Sequence, residues 1–397
     1  TLFLRPNPPV RVTFSCGDSM PTKVNLMMIL LVLQPMSSSS SLSAMRSQGK
    51  KVLRKALHVQ SHSYWAPANI GPYSQAIITT QTNEETIESS TIRVSGQIPL
   101  IPNTMQLPTS DISPYPVSFQ LTLSLQHLWR IGKVLMVGWW TSIIMYIPHN
   151  HLVNDTVPEE AIMASNIWAK LHEFKNGNSI RSVTADASTG ELGNESNHEL
   201  EIESDEPDLW EERYDAARRS HCGATCSTSP GKTHLPDWSL LDNHSDRQQP
   251  PLFTIEVHAL PRGSRCEWHA QLGIPLSVGP GQIFLHSLIS PHYTIYLCIF
   301  GLQRQIIIVI PFTRDLSCLL SCLTKAKARL VTASSLPCSW LYDGHSGTFP
   351  ALSYRDTSLF PTETTLPTPF VPLLIPCYRI WDDAGRRLAH LEIYNTL

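Results

Sequence analysis

The stretch APANIGPYSQAI, residues 66–77, joins two prolines and a glycine to an apolar run that begins at its end. Proline fixes φ and glycine tolerates positive φ, so this composition predicts a tight turn that leads into a β-strand. A second stretch, TIRVSGQIPL at 91–100, alternates in polarity and then reaches a proline. It predicts a strand that ends in a turn.

Two later segments have the apolar spacing of helices. FQLTLSLQHLWRIG, 119–132, places Leu121, Leu125 and Leu128 on one face and is predicted to end at its glycine. TVPEEAIMASNIWAKLHEF, 156–174, has a proline and two glutamates in its first turn, followed by apolar residues at helical spacing.

The segment between these helices, KVLMVGWWTSIIMYI at 133–147, is β-branched and aromatic, as buried strands are. Trp139, Trp140 and Trp168 are predicted to be core residues rather than stacking platforms, since no basic residues interleave with them. The order strand, strand, helix, strand, helix predicts an α+β domain with its helices on one face of a sheet.

The words APANIGPYSQAI and VSGQIPL, followed by the helix that begins FQLTLSLQHL, resemble the RidA/YjgF family, also called endoribonuclease L-PSP. The resemblance implies a chorismate-mutase-like fold, with a mixed sheet, two helices packed on one face, and a partial preceding copy of the domain. LHVQSHSYWAPANIGPYSQAI, GQIPLIPNTMQLP and IPCYRIWDDAGRRLA also look like the C-terminal half of fungal diphthine–ammonia ligases. In that family a nucleotide-binding domain precedes two RidA-like domains.

This resemblance implies a cytoplasmic enzyme that uses ATP to amidate diphthine to diphthamide on elongation factor 2. No glycine-rich SGGKDS-type loop occurs here, and SPGKTH at 229–234 lacks the upstream glycine of a phosphate-binding loop. We therefore expect no cofactor in this chain, and ATP only for the full-length parent enzyme.

The resemblance and the composition divide the chain into seven parts. They are the last strands of a first RidA-like domain (1–33), a linker (34–61), the main part of a second RidA-like domain (62–174), a polar, disordered insertion (175–250), the closing strands of the second domain (251–274), an irregular tract (275–371) and a C-terminal strand hairpin (372–397). The irregular tract has no amphipathic period, and its composition is typical of translated non-coding sequence.

Hydrolysis of an imine needs a cation for the substrate carboxylate, and the planar fork of arginine suits that task. In the RidA family this arginine lies in a P-x-R motif, which the resemblance places at Arg11 in the first copy and at Phe253 in the second. A phenyl ring binds no carboxylate, so the second copy is predicted to have lost deaminase activity. One hypothesis is that Arg11 meets Tyr73 in a hybrid site between the copies; the alternative is a solvent-exposed arginine on an edge strand.

Further departures affect the same site. His269 replaces the second acid of an E-x-E motif, and Ala164 falls where the family has an asparagine. The ligand pocket that the resemblance implies consists of Tyr73, Ser95, Gly96, Gln97 and Glu267. The alternative is that the residues matching the family's turns do not line a pocket and only shape two tight turns.

Composition argues against several other classes of function. The formal charge of −3 gives no basic field for nucleic acid. The run at 294–312 carries Arg304 at its centre, which favours paired strands over a membrane helix. Cys222 and Cys226 lack a second ligand pair, so no metal site is expected, and CLLSC at 318–322 is interpreted as buried apolar sulfur.

Three functions stay open. The first is the C-terminal portion of a diphthine–ammonia ligase that lacks its nucleotide-binding domain and is inactive alone. The second is an enamine/imine deaminase of RidA type. The third is a non-catalytic module that forms a homo-oligomer or pseudo-trimer through RidA-like domains.

Overall fold

The computed structural model describes most of the predicted domain and part of the chain on either side of it. The described residues are 8–20, 51–83, 86–108, 116–150, 156–180, 235–242, 248–279, 281–301, 303–313, 315–329, 338–343 and 374–395.

Strands dominate the described part of the chain. They are β1 (Lys51–Leu57), β2 (Ala76–Asn83), β3 (Thr86–Val94), β4 (Val137–Trp140), β5 (Ile143–Pro148), β6 (Leu252–Val257), β7 (Glu267–Ala270), β8 (Gly273–Pro275), β9 (Ile283–Ile289), β10 (Thr294–Phe300), β11 (Gln303–Pro311), β12 (Cys338–Asp343), β13 (Leu374–Pro376), β14 (Arg379–Asp382) and β15 (Arg387–Asn395). The helices are α1 (Pro116–Val134), α2 (Glu159–Ile180) and α3 (Leu316–Ala328).

Two sheets organise these strands. The smaller has the order β1-β2-β3-β8-β4 and is antiparallel throughout. The larger runs β7-β5-β6-β14-β15-β11-β10-β9; β12 also pairs with β15, and β13 pairs with β12. The parallel pair β5–β6 makes the larger sheet mixed, and α2 lies in the crossover that parallel strands require. The α+β class with a mixed sheet is therefore confirmed.

A bend in a two-stranded ribbon joins the sheets. The predicted single strand at 133–147 is in fact two strands, β4 in the smaller sheet and β5 in the larger. At the break, the Thr141 amide donates to the Leu272 carbonyl at 2.9 Å, and the Gln271 amide donates to the Ser142 carbonyl at 3.0 Å. Because both strands bend at the same place, the ribbon passes from one sheet to the other without losing its pairing.

The main core lies between helices α1 and α2 and one face of the sheets. Leu121, Leu125 and Leu128 of α1 pack with Ala164 and Trp168 of α2 against this face. The existence of both helices and the burial of these residues are confirmed, whereas α1 continues past the end expected at Gly132 to Val134. The opposite face of β5 and β6 packs in a second apolar cluster with β11, β14 and β15. Among the described residues, no helix combines the length and the apolar character that crossing a membrane requires.

The tract at 275–371 differs from the irregular structure expected of it. It contains β9, β10, β11, α3 and β12. β10 and β11 pair antiparallel at 294–309, which confirms the interpretation of that apolar run as paired strands. The strands of this tract become regular because β11 pairs with β15, at the far end of the chain. Non-local pairing of this kind has no local sequence signal.

Two other expectations need correction. The linker expected at 34–61 includes β1, which pairs with β2 along its whole length. The insertion expected to be disordered at 175–250 includes Leu235, Leu240 and Leu241, whose side chains are buried. β14 and β15 pair antiparallel in the segment where a C-terminal hairpin was expected.

One further expectation is corrected, namely that a strand begins at residue 9 in the segment 1–33, and the others are not tested. Residues 9–19 contain no strand, although Ser15 forms an isolated bridge with Ala259. Residues 23–33 and the acidic stretch 199–212 lie outside the described residues. The boundaries of the seven parts stay predictions.

Candidate functional site

The segment 8–20 crosses the turns that precede β2 and follow β3. The Ser74 amide donates to the Pro9 carbonyl at 3.1 Å, and the Gly96 amide donates to the Arg11 carbonyl at 3.1 Å. The Arg11 amide in turn donates to the Ser95 hydroxyl at 3.0 Å. These bonds fix the backbone of Arg11 against both turn motifs.

The first turn is built around Asn69 and Gly71. The Asn69 side chain accepts a hydrogen bond from the Val59 amide at 2.7 Å and donates one to the Tyr73 carbonyl at 2.9 Å. Gly71 has φ of +105°, a conformation that side chains other than glycine rarely adopt. Asn69 and Gly71 therefore close a turn that positions the ring of Tyr73.

Arg11 and Tyr73 meet at this turn. The guanidinium carbon of Arg11 lies 4.6 Å from the centroid of the Tyr73 ring, a cation–π arrangement. A Cβ added at Gly71 would lie 3.8 Å from an Arg11 guanidinium nitrogen, in ordinary contact. The structure thus brings together the two residues of the hybrid-site hypothesis, whose function stays a prediction.

Glu267 is the acidic member of this group. Its side chain is 3% exposed, and its Oε2 atom has no hydrogen-bond partner in the described part of the chain. A Cβ added at Gly96 would come within 1.8 Å of Oε1, so only glycine leaves room for this carboxyl. Burial raises the pKa of Glu267 to about 8, and the charge of Arg11 opposes that rise. Glu267 is therefore mostly protonated at neutral pH.

Arg11, Tyr73, Gly96 and Glu267 are called the Arg11 cluster below. The cluster combines a cation, an aromatic face and a neutral carboxylic acid. A guanidinium binds carboxylates, and a protonated carboxyl can donate a hydrogen bond or a proton. These are the groups that recognition and protonation of a small carboxylate ligand need.

Ser95 and Gln97, also predicted to line the pocket, use their side chains within the protein. Besides accepting from Arg11, the Ser95 hydroxyl donates to the Ser74 carbonyl at 2.7 Å. The Gln97 amide group donates to the Ser95 carbonyl at 2.8 Å and accepts from Gln75 at 3.3 Å. Gln97 also exchanges backbone hydrogen bonds with Trp268. Both side chains hold the cluster's backbone in place.

Two tyrosines next to Glu267 were not found by sequence reasoning. Tyr146 lies opposite Glu267 in the β5–β7 register, and its hydroxyl is 2.6 Å from that of Tyr342. Burial raises the pKa of Tyr146, so this phenol stays neutral. The polar position of Tyr146 within IIMYI is a signal in the sequence, whereas its partner Tyr342 has none, because the contact joins distant parts of the chain.

Three predicted positions lie in packed surroundings. Phe253 is 1% exposed and belongs to the apolar cluster on the helix-free face, where its ring meets that of Tyr296 at 6.2 Å. His269 is buried; burial and, next, the charge of Arg93 lower its pKa to about 3. Ala164, on α2, is fully buried in the main core.

Metal-ligating groups are sparse. Among the described residues, no group of three or more histidine, cysteine or acidic side chains is arranged to hold a metal ion. Cys222 and Cys226 lie outside those residues. Of the pair interpreted as buried sulfur, Cys322 is buried, whereas Cys318 is exposed, which corrects that interpretation for Cys318.

Comparison with known proteins identifies relatives for part of the chain. It is 37% identical over 116 residues to the diphthine–ammonia ligase of Schizosaccharomyces pombe, a match over 29% of this chain and 17% of that protein. It is 34% identical over 125 residues to the diphthine–ammonia ligase of Saccharomyces cerevisiae, a match over 31% of this chain and 17% of that protein.

Part of this chain is homologous to fungal diphthine–ammonia ligases. The chain spans about a sixth of the length of the relatives that it matches, 17% in both cases. No protein-family model matches the chain.

Proposed function

We propose that this chain is a C-terminal portion of a diphthine–ammonia ligase, and that the Arg11 cluster is a ligand site of its RidA-like part. The parent enzyme amidates diphthine on elongation factor 2 with ATP in the cytoplasm. This chain supplies a substrate-docking or ammonia-handling part and is inactive alone. The homology to two fungal ligases supports the ligase assignment.

The geometry of one contact carries the proposal of a ligand site. Arg11 lies over Tyr73 at 4.6 Å, beside a buried carboxyl whose Oε2 has no partner among the described residues. Such a carboxyl is costly to bury without a hydrogen bond, and a bound ligand supplies one. The segment 8–20 belongs to the preceding RidA-like copy in this proposal, which makes the site a composite of both copies.

A chimeric enzyme tests the ligase assignment. In the chimera, the segment of the S. pombe ligase that aligns with this chain is replaced by the aligned segment of this chain. The alignment covers 116 residues. Diphthamide on elongation factor 2 is then measured by mass spectrometry. A chimera that restores diphthamide to a strain without the ligase supports the proposal. A folded chimera that leaves diphthine unamidated contradicts it.

A second candidate, imine hydrolysis of RidA type, is favoured by the position of Arg11. In this reaction, water adds to the C=N carbon, and the nitrogen leaves as ammonia while a 2-oxo acid forms. Arg11 holds the carboxylate, and the neutral Glu267 donates to the nitrogen. The test measures the release of ammonia from an amino-acid-derived imine. Release by the parent chain and by Arg54→Ala, together with its loss in Arg11→Ala, supports this reaction. Equal rates in the three proteins contradict it.

Association through the RidA-like parts, as a homo-oligomer or pseudo-trimer, is the third proposal. This proposal follows from the resemblance alone. The molar mass of the protein in solution tests it.

A further inference from the structure

Helix α3 carries two thiols on one side. Cys318 and Cys322 are four residues apart, so they lie one helical turn from each other. Their sulfur atoms are 4.0 Å apart. Cys318 is exposed, whereas Cys322 is 5% exposed and packs with Leu319 and Ala326 in the cluster under the helix. The pair thus combines one solvent-exposed thiol with one buried thiol.

The separation of the sulfurs distinguishes two kinds of chemistry. A disulfide needs about 2.05 Å between sulfurs, so the helix would have to distort to form one. With metal–sulfur bonds of about 2.3 Å, the observed separation corresponds to an angle of about 120° at a bound ion. The thiols therefore already have the spacing of two ligands of a three-coordinate ion.

The surroundings select the class of ion. Zinc needs four ligands, and the described residues contain no group of three or more metal-ligating side chains. Thiolates without harder ligands favour soft ions such as copper(I).

We propose that Cys318 and Cys322 form a dithiolate chelate for a soft, low-coordinate metal ion, copper(I) being the biological example. Two S–H bonds break, two copper–sulfur bonds form, and two protons pass to water, while the oxidation state of copper does not change. The third position is open to an external thiol. This site is independent of the Arg11 cluster and of the proposed ligase function.

Copper(I) titration against a chromogenic copper(I) chelator tests the proposal on the full chain. Cys222 and Cys226 have the same spacing, so both are first replaced by serine in every protein compared. We expect the resulting background protein to bind one copper(I) per chain. Cys318→Ser is expected to weaken this binding at least tenfold; because Cys318 is exposed, the variant keeps its circular dichroism spectrum and its Tm.

A relocation control separates geometry from thiol number. Cys318→Ser combined with Ser321→Cys keeps the number of cysteines but puts the thiols on adjacent residues, about 100° apart around the helix. We expect this variant to bind as weakly as Cys318→Ser. Unchanged copper affinity in either variant overturns the proposal. The proposal is also overturned if the background protein binds no copper(I) while a small disulfide reagent converts Cys318 and Cys322 to a disulfide.

Discussion

The guanidinium of Arg11 lies over the ring of Tyr73, with 4.6 Å between Cζ and the ring centroid. The contact joins a segment near the start of the described chain to the turn that precedes β2. Its position depends on backbone hydrogen bonds to Ser74 and Gly96 and on the Ser95 hydroxyl. The cation of the proposed site is therefore supplied by a segment that is distant in sequence from the other members of the cluster.

Replacing Arg11 by alanine should raise the pKa of Glu267 further. Burial already raises this pKa to about 8, and the positive charge of Arg11 is the influence that holds it down. Titration of the glutamate side-chain carboxyl carbons by NMR measures the shift. Arg54→Ala, on the exposed strand β1, is the control and should leave the pKa unchanged. An unchanged value in Arg11→Ala would mean that the two groups do not interact.

Glu267→Gln should remove a contribution to folding stability that weakens as pH rises. The folded pKa is about 8 and the ordinary value is 4.5, so between these values the unfolded chain has lost a proton that the folded protein keeps. At this group the unfolded state then binds fewer protons, so the contribution of Glu267 to stability falls as pH rises, by at most about 1.4 kcal/mol per unit. Above pH 8 this contribution is constant.

Urea unfolding at several pH values between 5 and 8 measures this dependence. The stability of the glutamine variant relative to the parent should rise with pH across this range, because the buried histidines, such as His269, contribute equally to both proteins. Glu160→Gln, which removes an exposed ion pair with Arg265, is the control. Equal slopes in the parent and in Glu267→Gln would show that Glu267 titrates normally.

Gly96→Ala should disrupt the Arg11 cluster. The added methyl would come within 1.8 Å of Glu267 Oε1, so the carboxyl has to move, at a cost of about 1–3 kcal/mol. Gly279→Ala is a matched control, because its methyl would meet Gln282 at 3.5 Å, an ordinary contact. Thermal unfolding of both variants checks this. A Gly96→Ala protein as stable as the control would contradict the close approach of Glu267.

Phe253→Arg should unfold the protein rather than restore an active arginine. Phe253 is 1% exposed in an apolar cluster, and an unpaired charge there costs several kcal/mol. Phe253→Leu, which keeps the position apolar, should cost about 1 kcal/mol. Circular dichroism and urea unfolding distinguish the two. A folded Phe253→Arg variant with imine hydrolase activity would instead support the position as a lost catalytic site.

Local signals in the sequence predicted the parts of the fold that local interactions form. The spacing of Leu121, Leu125 and Leu128 predicted α1 and its buried face, and Arg304 within an apolar run correctly favoured a hairpin. The turn residues around Gly71 were predicted because proline and glycine have restricted or unusual backbone preferences.

The sequence did not predict features that depend on distant pairing. β11 forms its second ladder with β15, and Tyr146 meets Tyr342 across the sheet. For the same reason the tract at 275–371 was expected to be irregular. In the candidate site, the contact of Arg11 with Tyr73 was a hypothesis based on resemblance, whereas the burial of Glu267 beneath Gly96 follows only from the structure.

Binding of a short 2-oxo acid, measured by isothermal titration calorimetry, tests the central claim most directly: that Arg11 provides the carboxylate contact of the cluster. We expect the parent chain and Arg54→Ala to bind 2-oxobutanoate equally. Arg11→Ala should bind it at least tenfold more weakly, a loss of about 1.4 kcal/mol. Equal affinity of the parent chain and Arg11→Ala, or no binding by the parent chain at millimolar ligand, would contradict the claim.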